Sequence, residues 1–227
     1  PLDDLPRLLD GRHALLEGVD VVLAMSHLAC ADEAGNPMNR MQLERFRAVL
    51  ARLPPVRASL AASAGIELGR GFRFDMVRPG LALYGGRPRL SGANPYETVV
   101  TLTGKVLQTR ILAPGESVGY GRDLVAKKAM RLAIVAAGYA DGLMRAGGAK
   151  GFAAIAGKRV PFAGRISMDL VTLDITGLPP HSVAPGTEVE FLGASVTIEK
   201  VAKAAGTITH EILTALPGRA RRAYWES

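Results

Sequence analysis

The chain has 227 residues, 48% of them hydrophobic and 22% charged, an ordinary composition for a globular protein with one large domain or two modest ones. No apolar run approaches the ~18 residues of a membrane-spanning helix, and a single cysteine, Cys30, excludes an intramolecular disulfide and a cysteine-rich zinc site. The net charge of +7 is spread along the chain except at Arg219, Arg221 and Arg222, which favours a solvated basic face and leaves nucleic-acid binding as an alternative.

The first part of the chain alternates predicted helices and strands. Leucines at helical intervals predict a helix near Leu5–Leu16. The continuous apolar run Val21–Met25 predicts a strand buried on both faces, as in a parallel sheet, with His27 following its end. Asn36 and Pro37 are a typical N-cap and first-turn pair, so a second helix is expected to begin there.

This second helix is predicted to be amphipathic over about residues 37–53 and to end before two prolines. Its apolar residues recur at the spacing of one helix face: Phe46, Val49, Leu50 and Leu53. Two more short strands are predicted at Val56–Leu60 and Phe74–Val77. The order of strand, loop, helix and strand indicates part of a parallel α/β layer or barrel. Three strands cannot close a barrel, so the remaining strands are expected to come from elsewhere.

The pattern changes around Pro88–Pro95, where glycine, proline and polar residues predict a linker between a domain at 1–95 and another at 96–227. Beyond it, short runs rich in Val, Ile, Thr and Leu predict a mostly antiparallel barrel or sandwich. The strand candidates are Val100–Leu112, Arg131–Ala137, Phe152–Ile155, Arg159–Phe162, Leu170–Asp174 and Glu188–Leu192. Short helices are expected at Ile198–Ala204 and Thr209–Leu216.

Arg78 is a permanently charged residue at the end of a predicted strand. A guanidinium is costly to bury without a partner, so Arg78 is expected either to face a cleft with its stem packed or to be a surface arginine before a turn. Pro79 and Gly80 break the strand, and a glycine lets the backbone approach a ligand closely.

Two other polar residues have both a functional and a structural interpretation, and a third, Tyr120, lies in an unusual local context. His27 is either a core histidine or a ligand contact at a strand end. Ser63 is either a turn serine or a hydroxyl donor to a phosphate. Tyr120 lies between two glycines, whose small size leaves its hydroxyl group reachable. Asp141 and Gly142 are expected to form a turn.

Six motifs, in order along the chain, resemble the alanine racemase family of pyridoxal-phosphate enzymes. They are Ser26–Asp32, Ala62–Gly65, Phe74–Gly85, Val118–Gly121, Gly138–Gly142 and Gly164–Asp169. The resemblance implies an α/β protein, with the C-terminal part of a (β/α)8 TIM-type barrel followed by a mostly β C-terminal domain. The N-terminal part of the barrel is not represented among these motifs.

The resemblance implies that five residues hold pyridoxal 5'-phosphate. His27 would stack against the ring, and Arg78 would donate a hydrogen bond to the ring nitrogen. Ser63 would contact the phosphate through its hydroxyl group, and Gly80 and Leu81 would contact it through backbone N–H groups.

Three more roles are implied in the second half of the chain. Tyr120 would be the catalytic base and would reach into the active site of a partner subunit in a homodimer. Tyr139 resembles the tyrosine at the active-site entrance, and Met168 resembles the residue whose backbone N–H binds the substrate carboxylate. Three positions depart from the family pattern: Ala62 for asparagine, Ser167 for cysteine and Gly218 for tyrosine.

The implied function is interconversion of L-alanine and D-alanine by two-base Cα proton transfer on a pyridoxal-phosphate aldimine. It would supply D-alanine for cell-wall (peptidoglycan) synthesis in the cytoplasm, without nucleic acid, membrane or metal. The alternatives are a broad-specificity amino-acid racemase, a non-catalytic remnant that binds pyridoxal phosphate, and a basic nucleic-acid-binding β domain.

The 227 residues alone are expected to be inactive. The family's mechanism needs a lysine that holds the cofactor covalently, in a context like Lys-Ala-Asn-Ala-Tyr-Gly-His on an early barrel strand. That context does not occur here. The seven lysines all lie after the linker: Lys105, Lys127, Lys128, Lys150, Lys158, Lys200 and Lys203. The chain is therefore expected to be one piece of a larger polypeptide and to fold properly only with the N-terminal barrel segment. Without that segment, the apolar flanks of Val21–Met25 are expected to be left unburied.

Overall fold

A computed structural model describes residues 18–148 and 150–225, so the helix predicted near Leu5–Leu16 lies outside the described residues. The chain divides into two compact units. The first comprises the residues up to Leu83 together with Arg87–Tyr96, and the second comprises Tyr84–Gly86 together with the residues from Glu97 onward.

The first unit is built on two parallel strands joined by a helix. Strand β1 spans Leu23–Met25 and pairs with strand β2, Arg57–Ser59, so that Leu23 lies opposite Arg57. Helix α1, Pro37–Leu50, connects them, and the Asn36 side chain accepts a hydrogen bond from the backbone N–H of Met38. Because the strands are parallel, the residues that follow both of them meet at one edge of the sheet.

The core of this unit lies between α1 and β2. Leu43 and Phe46 of α1 are buried with Ala58 and Leu60. The Phe46 ring meets the ring of Phe74 edge to face at a centroid distance of 5.1 Å. Helix α2, Ser63–Glu67, follows β2 after Ala62, which provides no side-chain cap for it.

Strand β1 is not buried on both faces, as the sequence analysis expects for these 227 residues without the other strands of the barrel. Val22 is 69% exposed and Met25 is 62% exposed. Among the described residues, β1 pairs with β2 alone, so its other edge is unpaired. Leu23 and Ala24 are half-buried, so the described residues cover the apolar run only in part.

The prediction of a strand at Phe74–Val77 is wrong: Phe74 and Asp75 lie in a turn, and Met76 and Val77 belong to no strand. Phe74 has a positive φ of 51°. The carboxylate of Asp75 accepts a hydrogen bond from the Ala58 backbone N–H, and the backbone N–H groups of Asp75 and Met76 both donate to the Ala58 carbonyl. These bonds occupy the backbone N–H and carbonyl groups of Ala58, which a neighbouring strand would otherwise use. Only Arg78 returns to the sheet, through a single parallel bridge to Ala62.

The second unit contains a six-stranded antiparallel sheet. The strands are β3 Leu102–Leu112, β6 Met130–Val135, β7 Phe152–Ile155, β8 Lys158–Pro161, β9 Val171–Asp174 and β10 Glu188–Leu192. Their order across the sheet is β8-β7-β10-β3-β6-β9. A bridge between Phe162 and Leu173 joins the two end strands, so the sheet closes into a barrel. Its interior is apolar, with Val106, Val135, Leu173 and Val189 fully buried.

Two short strands, β4 Ser117–Val118 and β5 Leu124–Val125, form a separate hairpin that the sequence analysis did not predict. Strands of two residues are too short to carry an alternating pattern. Helices α3, Ile198–Ala205, and α4, Thr209–Thr214, follow the barrel and bury Ile198, Ala202 and Ile212.

The predicted linker packs on the first unit through a cluster around Glu67. One carboxylate oxygen of Glu67 accepts a hydrogen bond from the Tyr96 hydroxyl group at 2.9 Å, and the other lies 2.7 Å from the Arg89 guanidinium. Partial burial, followed by the hydrogen bond to Glu67, raises the pKa of Tyr96 above its usual value. These contacts explain why Arg87–Tyr96 belongs with the first unit.

The raised pKa of Tyr96 predicts a loss of stability in alkaline solution. The folded state holds the phenol proton more tightly than the unfolded state, so the stabilisation is complete below about pH 10 and disappears as the pH rises through the folded-state pKa. The urea-unfolding free energy should therefore fall more steeply above pH 10 in the wild type than in Tyr96→Phe. Tyr224→Phe, at an exposed position, is the matched control. Identical pH profiles for wild type and Tyr96→Phe would contradict the raised pKa of Tyr96.

Candidate active site

Arg78 is held at the carboxyl ends of the two parallel strands by neutral groups. Its Nη1 donates to the Ser59 hydroxyl oxygen at 2.6 Å, and its Nη2 donates to the Ser26 carbonyl at 2.7 Å. The same Nη2 lies 3.4 Å from His27 Nδ1. Since Ser26 and His27 follow β1 and Ser59 ends β2, the sheet topology brings these four residues together.

The chemistry of this cluster follows from the guanidinium. Arginine has no acceptor, so the contact with His27 is a hydrogen bond in the tautomer whose Nδ1 carries no proton. The partners named here are neutral, so none of them cancels the charge of Arg78. The cluster therefore presents a fixed positive charge at the strand ends.

The Ser63 side chain is buried, and its hydroxyl oxygen is the acceptor for two backbone N–H groups. Its Oγ accepts hydrogen bonds from Gly80 N at 3.0 Å and from Ala82 N at 3.2 Å. With both lone pairs engaged, the hydroxyl proton is free to donate to an anion. Leu81, between the two donors, is buried and begins a short 3₁₀ turn, and no atom lies within 4 Å of where a Gly80 side chain would begin.

Sequence reasoning missed three members of these groups: Ser26, Ser59 and Ala82. Ser26 and Ala82 act through backbone atoms, which no side-chain pattern reveals. Ser59 is completely buried, and a polar residue ending a buried strand was the available signal.

Tyr120 lies on the β4–β5 hairpin, and its side chain is 69% exposed. The flanking Gly119 and Gly121 have φ values of 87° and 73°, which an L side chain rarely adopts. An ion pair of 3.2 Å between Asp123 and Arg165 ties this hairpin to the segment around residue 165. The hairpin thus presents a phenol to solvent from a constrained backbone.

Tyr139 and Met168 lie on two segments that pair through their backbones. Tyr139 N donates to the Ser167 carbonyl at 2.9 Å, and Ala140 N donates to the Met168 carbonyl at 3.0 Å. A side chain at Gly138 would overlap the Met168 carbonyl oxygen, so the approach requires glycine. Both predicted residues are partly exposed, Tyr139 by 41% and Met168 by 53%.

The predicted site residues fall in both units. The first holds His27, Ser63, Arg78, Gly80 and Leu81, and the second holds Tyr120, Tyr139 and Met168. Within residues 18–148 and 150–225, no group of three or more His, Cys, Asp or Glu side chains is placed to hold a metal ion. The described helices are all too short or too polar to cross a bilayer.

Two family models match the chain. The model of the alanine racemase N-terminal domain matches residues 1–88, and that of the alanine racemase C-terminal domain matches residues 99–224. The chain belongs to the alanine racemase family. The fold class expected from the sequence, the end of a (β/α)8 barrel followed by a mostly β domain, is therefore confirmed.

Curated relatives and solved structures agree with this assignment. Alanine racemase of Rhodospirillum rubrum is 45% identical over 203 residues, which cover 89% of this chain and 54% of that protein. The catabolic alanine racemase of Agrobacterium fabrum is 44% identical over 217 residues, covering 96% and 56% of the two chains. The chain thus spans about half the length of the curated relatives it matches.

Among solved structures, alanine racemase of Bartonella henselae, with covalently bound pyridoxal phosphate, superposes with a TM-score of 0.92 at 38% identity. The match covers 98% of this chain and 62% of that one. The biosynthetic alanine racemase of Pseudomonas aeruginosa has a TM-score of 0.87 at 35% identity, with coverage of 97% and 63%.

Ser59→Ala should destabilise the first unit, because it removes the buried oxygen that accepts from Arg78. We expect a loss of about 1.5–3 kcal/mol in unfolding free energy, the usual range for a hydrogen bond to a charged group, measured by urea denaturation. Ser91→Ala, at an exposed position, is the control. Equal stability of the two variants would show that Arg78 does not depend on Ser59.

Proposed function

We propose that this chain forms part of an alanine racemase that interconverts L-alanine and D-alanine with pyridoxal 5'-phosphate as cofactor. The support is membership of the family, the names of the relatives, and one structural observation. That observation is the strand-end cluster in which Arg78 is held beside His27.

The residues of the first unit fit this cofactor. The Ser63 hydroxyl has a proton to donate, and no atom of the described residues lies within 4 Å of where a Gly80 side chain would begin, so a phosphate group could approach there. The Gly80 N–H itself donates to Ser63 in this structure, so its predicted contact with the phosphate would require that hydrogen bond to be exchanged. Arg78 is a donor that suits an unprotonated ring nitrogen. We therefore propose that His27, Ser63, Arg78, Gly80 and Leu81 hold pyridoxal phosphate.

Bound there, the cofactor would supply an electron-withdrawing ring that acidifies the Cα proton of an attached amino acid. Arg78 limits that withdrawal, because a guanidinium keeps its proton at working pH and can only donate a hydrogen bond. Return of the proton to Cα is then favoured over its diversion to transamination. The arrangement is suited to racemisation.

In the second unit, we assign the proton transfer on one face of the substrate to the Tyr120 hydroxyl group. An isolated phenol, with a pKa of about 10, is a poor base at neutral pH and needs nearby positive charge to act. Tyr139 would line the entrance, and the Met168 backbone N–H would bind the substrate carboxylate. The exposure of all three side chains supports their availability to a ligand.

We further propose a homodimer in which Tyr120 of one subunit serves the cofactor site of the other. The product would supply D-alanine for cell-wall synthesis in the cytoplasm of a bacterium. The support is a biosynthetic relative from Agrobacterium fabrum, 43% identical over a stretch that covers 99% of this chain, and a single cysteine, as a reducing compartment allows.

The opposite face needs a lysine, and residues 1–96 contain none. We propose that this lysine comes from a segment outside the 227 residues. With pyridoxal phosphate and borohydride, the chain alone should yield no stoichiometric pyridoxyl-lysine on peptide mapping and no D-alanine. Fused behind the residues that precede the aligned stretch in the Rhodospirillum rubrum enzyme, it should gain both.

Comparing the 227 residues alone with the fusion tests both the need for a further segment and the proposed racemase function. Turnover by the 227 residues alone, together with a labelled lysine between Lys105 and Lys203, would contradict the need for a further segment. A folded fusion that binds the cofactor but does not racemise alanine would contradict the proposed function.

Sharing of sites between subunits is tested with hybrid dimers of the same fusion. Tyr120→Phe and Arg78→Ala should each lower turnover by roughly a hundredfold or more, because each removes a catalytic contribution from every site. Random mixing of the two variants should restore about a quarter of wild-type activity, since half of the dimers then carry one intact site. Verified hybrids without any recovery would mean that each site is complete within one subunit.

A further inference from the structure

Arg219 joins three separate segments of the second unit. Its Nε donates to Asp141 Oδ1 at 2.7 Å, and its Nη2 donates to Asp141 Oδ2 at 3.2 Å. The same Nη2 donates to Asp169 Oδ1 at 2.7 Å. One guanidinium therefore fixes the C-terminal segment to two loops at once.

Asp141 is held from two sides, which makes this more than a surface ion pair. Besides binding Arg219, its Oδ2 accepts a hydrogen bond from the backbone N–H of Gly138 at 2.8 Å. Its side chain is only 19% exposed, whereas that of Asp169 is 59% exposed. Hydrogen bonds to Asp141 and then to Asp169 raise the pKa of Arg219 above its usual value. The sequence interpretation of Asp141 as a turn residue did not include this contact.

The two loops are those that carry Tyr139 and Met168. Asp141 ends the 3₁₀ turn Tyr139–Asp141, and Asp169 directly follows Met168. The backbones already pair at Tyr139 and Ala140, so a small separation of the loops would move both site residues. Without Arg219, two carboxylates that share one cation would face each other and repel.

We propose that Arg219 is a positioning residue for substrate binding, which holds the Tyr139 and Met168 segments together through Asp141 and Asp169. The substrate part of this proposal rests on the proposed function, in which Tyr139 and Met168 contact the amino acid. Arg219 itself touches neither the substrate nor the cofactor in this proposal.

The first test measures amide hydrogen exchange in the fusion described above, without added cofactor or turnover. In Arg219→Ala, the amides of Tyr139 and Ala140 should exchange roughly tenfold faster, the loss expected from charge-assisted hydrogen bonds, while the Leu132 amide in β6 is unchanged. Arg219→Lys should be intermediate, because an ammonium group cannot reproduce the two-nitrogen contact. Arg221→Ala, an exposed arginine two residues away, should match the wild type.

The second test separates KM from kcat in the racemising fusion. Arg219→Ala should raise KM for alanine roughly tenfold and change kcat less than about twofold, because binding geometry and not the proton transfer is disturbed. Adding Asp169→Asn to Arg219→Ala should lower KM again, because one of the two repelling charges is gone. A purely structural role predicts the opposite, a double variant worse than either single one.

Unchanged exchange at Tyr139 and Ala140 in Arg219→Ala would overturn the proposal, as would faster exchange that extends equally to Leu132. If Arg219→Ala does not fold, amide exchange at Tyr139 and Ala140 is compared in Arg219→Lys and Asp169→Asn, which disturb the fold less. A wild-type fusion that does not racemise would contradict the proposed function, and the exchange data would still decide whether Arg219 holds the two segments.

Discussion

The first unit is organised around a charge that cannot be removed. Arg78 remains protonated at any working pH, so the fold must provide acceptors where the strands end. It does so with a buried hydroxyl group, Ser59, a carbonyl, Ser26, and an imidazole nitrogen, His27. These acceptors lie on two strands that are distant in sequence and adjacent in space. The parallel pairing of β1 and β2 is thus the condition for the cluster, and α1 is the connection that makes the pairing possible.

The second unit depends in a comparable way on one loop, residues 164–169. Arg165 ties it to the hairpin that carries Tyr120, and the carbonyls of Ser167 and Met168 tie it to the segment that carries Tyr139. Asp169 ties it to the C-terminal segment. Three exposed side chains of the candidate site therefore share one backbone support. Their mutual positions rest on a few polar contacts at a barrel rim, where loops commonly carry function.

The sequence predicted best those elements whose apolar residues recur at a regular spacing along one segment. The apolar periodicity of α1 and the alternating strands of the barrel were predicted close to their observed bounds. Phe74–Val77 failed because Asp75 bonds the backbone of Ala58, a contact 17 residues away that no local pattern contains. The apolar run of β1 indicates a strand that is buried in a larger sheet, and its exposure agrees with the expectation that these residues alone leave its flanks uncovered. Among the described residues, only β2 pairs with it.

The candidate site shows the same division. His27, Ser63 and Arg78 could be selected because a polar side chain at the end of an apolar run is unusual, and the resemblance then added roles to them. Ser59 and Arg219 were missed for opposite reasons. Ser59 is a polar residue inside a predicted strand and was not singled out there. Arg219 lies in a basic stretch, where solvated arginines are the common case. Their contacts depend on which segments the fold brings together.

The strand order of the barrel also determines when the second unit can fold. Strand β10 lies between β7 and β3, so Lys105 meets Glu188 across a separation of 83 residues. Until β10 has left the ribosome, one edge of β3 has no partner, and the barrel interior around Val106 remains open. Such long-range pairing slows folding and exposes an unpaired strand edge to other chains in the meantime. A nascent chain that is released or stalled before residue 192 would carry nearly all of the strands and still lack a closed core.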